Sequence, residues 1–125
     1  MAAYKILMDA MGGDYAPQAP AEGALLALKR HPELTVVLAG REGDIRKALE
    51  GKTYDATRLI ILHKDQIVEN EEHNPAEAVR AKKDSSMMYG MQMVKNKEVD
   101  GMISAGNTGA VLSGATLLVG RIPGV

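Results

Sequence analysis

Three stretches of this chain gather residue types suited to chemistry on a phosphate or a carbonyl. Residues 100–110, DGMISAGNTGA, run from an apolar segment into a turn containing Ser104, Gly106, Asn107, Thr108 and Gly109, and a helical pattern follows at once. The first N–H groups of a helix lack partners in the chain and point, with the dipole, at whatever lies in front, so a phosphate or a developing oxyanion fits there. Gly106 and Gly109 would let the backbone approach a ligand closely, while Asn107 and Thr108 can donate hydrogen bonds or cap the helix. Residues 9–17, DAMGGDYAP, set Asp9 and Asp14 on either side of Gly12 and Gly13. Two carboxylates would repel a phosphate. They can instead cap turns, orient a lysine, accept a hydroxyl or hold a metal, and spacing alone does not choose among these. Residues 82–86, KKDSS, offer the cations Lys82 and Lys83 with the hydroxyls of Ser85 and Ser86 at a helix start, either as a phosphate site or as a solvated charge cluster with an N-cap.

These stretches need elements to position them. Residues 5–8 read as a first strand ending at Asp9. From Pro20, Ala21, Ala24, Leu25 and Leu28 fall at helical spacing, with Lys29 and Arg30 in the last turn and Pro32 as the stop. Residues 34–39, LTVVLA, form a continuous apolar run, the mark of a parallel strand buried on both faces. Asp44 is expected to cap a short helix through Leu49, and residues 59–62, LIIL, make a third strand. Residues 63–73 are polar and acidic and read as a surface loop. Asn74, Pro75 and Glu77 then supply an N-cap, a proline at the first helical position and an acid at the third. The cluster at 82–86 interrupts that helix, and Met87, Gly90, Met91 and Val94 restart it toward Lys97. Residues 101–104 are the fourth strand. After the 104–109 turn, Ala110, Val111, Leu112, Ala115, Leu117 and Leu118 are predicted to share one side of a helix running to Gly120.

The alternation predicts an α/β fold: a three-layer α/β/α sandwich around a mainly parallel sheet. In such sheets ligands bind beyond the carboxyl ends of the strands, so the loops after Asp9, Leu62 and Ser104 are expected to share one rim. The 125 residues, 46% hydrophobic, make one domain able to bury a core without Phe or Trp, its volume coming from aliphatic side chains and eight Met. With 15 basic and 16 acidic residues there is no electrostatic footprint for nucleic acid. The absence of cysteine excludes disulfides, thiolate metal sites and a Cys nucleophile, and makes the cytoplasm the default compartment. No signal peptide is visible and no apolar run approaches the ~20 residues that span a bilayer, so membrane contact is expected to be peripheral. His31, before Pro32, reads as a surface residue. His63 and His73 flank the acidic loop but lack helical ligand spacing, and no metal site is assigned to them. The Met-rich run from Met87 to Met93 reads as core. Neither Gly-rich loop carries the dinucleotide or Walker fingerprint.

Taken together, DAMGGDYAP at 9–17, EGALLALK at 22–29, KKDSSM at 82–87 and SAGNTGA at 104–110 resemble the PlsX-type phosphate acyltransferases of bacterial phospholipid synthesis. The resemblance covers essentially the whole chain. Members of that family are considerably longer, so residues 1–125 correspond to the N-terminal part of their acyltransferase domain. The resemblance implies an isocitrate and isopropylmalate dehydrogenase-like fold shared with phosphate acetyltransferases, and a homodimer loosely associated with the membrane or with a downstream acyltransferase. It implies conversion of acyl carrier protein thioesters and inorganic phosphate into acyl phosphates, with no cofactor.

Phosphate is already a nucleophile near neutral pH, so such a site needs orientation and charge neutralisation more than a strong base. Asn107 and the N–H groups of the 106–109 turn, with Ser104 and Thr108, are the candidates for holding the oxyanion. Lys83, Ser85 and Ser86 are candidates for phosphate, and Asp9, Gly12, Gly13 and Asp14 for the opposite wall. Two other readings stay open on the residues alone: a nucleotide- or cofactor-binding α/β enzyme of another reaction class, and a non-catalytic α/β module carrying an interface.

Overall fold

The computed structural model describes residues 3–67 and 74–124. Strand β1 (Tyr4–Asp9) leads through helix α1 (Gln18–Arg30) to β2 (Leu34–Gly40), and α2 (Glu42–Ala48) leads to β3 (Leu59–His63). Helices α3 (Pro75–Ala81) and α4 (Ser86–Lys95) precede β4 (Gly101–Ile103), and α5 (Thr108–Gly114) runs into a π-helical turn at Ala115–Val119. The sheet order is β3-β2-β1-β4, and every pairing is parallel. The two directions of travel from β1 follow from this order. Successive crossovers carry the chain outward to β3, and the chain then returns to place β4 on the free side of β1. Asp100 fastens that return, its carboxylate accepting the Lys5 N–H and its own N–H donating to the Lys5 carbonyl, both at 2.8 Å.

Side chains alternate across a strand, and the sequence of β1 and β2 loads both faces with apolar groups. Ile6, Met8, Val36 and Leu38 pack with Ala21, Ala24 and Leu28 of α1 and Ile45 and Ala48 of α2. On the other face Leu7, Val37 and Ala39 meet Val94 and Met93 of α4. Small residues let these layers close. A β-carbon on Gly90 of α4 would come 2.6 Å from Leu7 Cδ2. Helix α5 packs outside α4 through a methionine core of Met87, Met88 and Met91 around Ala110, and Gly114 leaves room for the Met91 and Met88 sulfurs.

The predicted three-layer parallel architecture is the one observed, with several local differences. Asp44 does not cap α2. It lies inside the first turn, and Arg41 occupies the cap position without a side-chain bond. Helix α1 begins two residues before Pro20, which the first turn tolerates because its N–H has no helical partner anyway. Helix α4 ends at Lys95, the chain turning through Lys97 at φ 60, and β4 stops at Ile103, one residue before Ser104. Leu112 and Leu117 do not share a buried side with Ala110: they are 69% and 58% exposed. Leu112 follows Ala110 by two residues and so falls on the opposite side of α5, while Leu117 lies in the π-helical turn, which departs from the 3.6-residue spacing. The break in the helix at 82–86 is present. So is the start at Asn74, whose Oδ1 accepts the Glu77 N–H at 3.3 Å while its own amide donates to Glu77 Oε2. Of the 63–73 loop, residues 68–73, including His73, lie outside the described residues. Among the described residues no helix is long and apolar enough to cross a membrane.

Candidate functional site

The order β3-β2-β1-β4 makes the gap between β1 and β4 the point where the sheet changes its direction of winding, and open parallel sheets bind ligands at the carboxyl edge of that gap. Met8 and Ile103 stand side by side there. The loop that follows β1 and the turn that follows β4 are pressed together. A β-carbon on Gly12 would lie 2.8 Å from Gly106 N, and one on Gly13 would lie 3.3 Å from Ala105 Cβ. Gly13 also has φ +97, the left-handed region open to glycine. Gly106 in turn faces Met87 Cε at 2.8 Å from its virtual β-carbon, so its missing side chain serves a contact of chain with chain.

Asp9, only 3% exposed, is the knot of this junction. Its Oδ1 accepts the Ser86 hydroxyl at 2.6 Å and the Met11 N–H at 3.1 Å. Its Oδ2 accepts the Ser104 hydroxyl at 2.9 Å, and Ser104 Oγ accepts the Gly106 N–H at 3.1 Å. One carboxylate therefore binds its own loop, the start of α4 and the turn after β4. The loop after β3 joins through the same helix start: the Ser86 N–H donates to the Gln66 carbonyl, and the Asp84 N–H to Gln66 Oε1. Lys64 extends the connection, its Nζ 2.9 Å from Asp84 Oδ1 and 3.5 Å from the Tyr89 ring centroid. The three loops expected to share a rim do so.

The residues of the KKDSS stretch separate. Ser85 is fully buried and caps α4, its Oγ accepting the Met88 N–H at 3.1 Å. Ser86 is buried against Asp9. Lys83 is exposed and lines a 210 Å³ pocket with Arg80, Tyr89 and Leu118, distinct from the hollow bordered by Asp9. Ser85 faces inward because the N-terminus of α4 is buried and its orphan N–H groups need an acceptor inside the protein, while Ser86 faces inward to donate to Asp9. Ser85→Ala is expected to cost about 1 kcal/mol, the usual worth of such a cap, in urea unfolding followed by far-ultraviolet circular dichroism. Asn107 caps α5 by accepting the Ala110 N–H at 2.9 Å, with Thr108 exposed and Gly109 half-buried in the turn that follows. Asp14 is exposed at the far end of the first loop. His63 turns to α2, its Nδ1 accepting the Glu42 N–H at 3.0 Å. Among the described residues no three His, Cys, Asp or Glu side chains group to hold a metal.

Beside the junction lies a hollow of about 300 Å³ that local sequence spacing did not single out. It is bordered by Met8, Ile103, Ala105, the 12–16 loop and the first turns of α1 at Ala19, Pro20 and Gly23. The signal for it was present in the small residues Ala19 and Gly23, four apart on a side of α1 other than the one carrying Ala21, Ala24 and Leu28.

Comparison with known proteins agrees with this architecture. A family model described as fatty acid synthesis protein matches residues 4–125. A phosphate acyltransferase of Dictyoglomus turgidum is 48% identical over 121 residues, covering 97% of this chain and 35% of its own length. Those of Clostridium tetani and Halorhodospira halophila are 44% and 47% identical, again covering 36% and 34% of the relative. The chain thus spans about a third of the length of these relatives. Among solved structures, a phosphotransacetylase from Streptococcus pyogenes superposes with a TM-score of 0.66 at 20% identity, covering 98% of this chain and 40% of that one, which is a likeness of fold. Because the family model runs through both glycine-rich loops and the whole of the described sheet, the chain belongs to the fatty acid synthesis protein family.

Proposed function

We propose that this chain forms part of an acyltransferase that makes acyl phosphate from an acyl carrier protein thioester and inorganic phosphate in bacterial phospholipid synthesis. The observation that carries the proposal is the β1–β4 junction, where two glycine-rich loops meet at the carboxyl edge of a parallel sheet and are tied together by one buried carboxylate. The names of the relatives point the same way. A phosphate oxygen attacks the thioester carbonyl, a tetrahedral oxyanion forms, and the carbon–sulfur bond breaks with its electron pair leaving on sulfur. N–H groups of residues 107–109 and the Asn107 amide hold the oxyanion, the Gly106 N–H being bound to Ser104 Oγ, and losing one such donor typically costs about 10²- to 10³-fold in rate. Asp9 and Ser86 keep the turn in place rather than touching the anion, because their polar atoms are bound to one another.

The test is release of free thiol from an acyl carrier protein thioester, with and without phosphate, alongside the Dictyoglomus turgidum relative. The chain contains no cysteine, so it contributes no thiol of its own. Phosphate-dependent release is expected from the relative, and release by the 125 residues alone would locate a sufficient site within them. A relative that releases thiol equally without phosphate would end the proposal.

A further inference from the structure

We propose that the hollow between α1 and the β1–β4 edge holds the aliphatic chain of the substrate, an assignment that rests on the acyl transfer reading for its biological occupant. Its volume of about 300 Å³ lies at the small end of ligand pockets. Met8 and Ile103 form one side of it and the first turns of α1 the other, and no Lys, Arg or His lines it. Its two charged groups are carboxylates: Asp9, already bound to three internal donors, and Asp14. An anionic ligand is therefore repelled and a neutral apolar one accepted. Ile103 and Tyr15, 54% and 79% exposed, are large apolar side chains left in water at its border, and an aliphatic chain lying there would cover them.

The position of the hollow also fits the reaction. Met8 and Asp9 are consecutive in β1 and project to opposite faces of the sheet. An aliphatic chain against Met8 thus lies on the α1 side, Ser86 at the start of α4 binds Asp9 from the other, and Asp9, Gly12, Gly13 and Ala105 border the hollow where the two meet. A carbonyl at that border would have its tail in the hollow and its oxygen toward the turn.

Gly23 provides the means of testing this. It borders the hollow, and a β-carbon placed on it meets nothing within 4 Å. Gly23→Phe therefore adds a large side chain at the border of the hollow without a clash at its attachment point, and the change improves rather than weakens local helix propensity. The probes are N-acetylcysteamine thioesters from hexanoyl to tetradecanoyl, titrated into the 125-residue chain without phosphate and followed by amide NMR. Shifts are expected at Gly12, Gly13, Gly23 and Ala105, with affinity rising about threefold to fourfold per added methylene until the hollow is full. In Gly23→Phe the plateau should come at least two carbons earlier, with dodecanoyl affinity down about tenfold or more. Gly23→Leu should give a smaller shift of the same kind. Gly43→Phe on α2, which also meets nothing within 4 Å and lies outside the hollow, should bind like the parent.

Affinity independent of chain length, shifts elsewhere on the surface, or parental binding by both Gly23 variants would overturn the assignment. Because the titration contains no phosphate, it is independent of turnover. Thiol release without a methylene increment keeps the reaction and removes the pocket, and a methylene increment without thiol release keeps the pocket and removes the reaction.

Discussion

Asp9→Ala is expected to lower the stability of the chain by about 2–4 kcal/mol, because a buried donor left without its acceptor costs ~1–3 kcal/mol. Two hydroxyls depend on this carboxylate. Ser86, 2% exposed, would lose its acceptor in a place water does not reach, while Ser104 is half-buried and loses less. The Met11 N–H would lose its partner as well. Asp9→Asn should recover part of the loss, since its oxygen still accepts two donors, but one hydroxyl would then face an N–H donor and must turn away. Urea unfolding followed by circular dichroism measures all three proteins. In the thiol-release assay both variants should fall about 10²-fold or more, the usual consequence of a misplaced reacting geometry. An Asp9→Ala protein as stable as the parent would show that the three segments are held together by something other than this carboxylate.

Gly12→Ala tests the same junction from the side of sterics. Its β-carbon would lie 2.8 Å from Gly106 N and 2.8 Å from Asp9 Oδ2. The first of these neighbours is backbone and cannot rotate away, so the loop and the turn must part. Overpacking of this kind costs about 1–3 kcal/mol, and the displacement should lower phosphate-dependent turnover about 10²-fold. Gly43→Ala is the matched control: it sits in α2 with nothing within 4 Å and is expected to be neutral or to gain up to about 0.5–1 kcal/mol. Equal turnover in Gly12→Ala and the parent would show that the close approach of the two loops is not needed for activity.

Much of the fold was legible because its signals are local. The run LTVVLA predicts a strand buried on both faces, and β2 is that strand. The cap at Ser85 and the start at Asn74 depend on residues three or four apart, and both are present. The site was legible only as a set of names. Asp9, Ser86 and Ser104 were all singled out, but Ser86 was read as a ligand for phosphate and Ser104 as one for the oxyanion. Their partner in the folded chain is a carboxylate 77 and 95 residues away, and no local spacing reveals a bond of that range. Leu112 and Leu117 show the opposite failure. They were read as one apolar side with Ala110, but Leu112 falls on the opposite side of α5, Leu117 lies in the π-helical turn, and both are largely exposed.

The span of the Ser104–Asp9 hydrogen bond has a consequence for how the protein is made. During synthesis β1 leaves the ribosome early, and β2 and β3 can pair outward from it as soon as their crossovers are complete. The other edge of β1 must wait for residues 101–103, almost a hundred positions later, and closing so long a loop is the slowest kind of contact to form. Asp9 meanwhile has neither of its serine partners. The nascent chain therefore carries an unfinished junction beside strands already paired, and the Asp9 knot is completed only when β4 and the turn after it arrive.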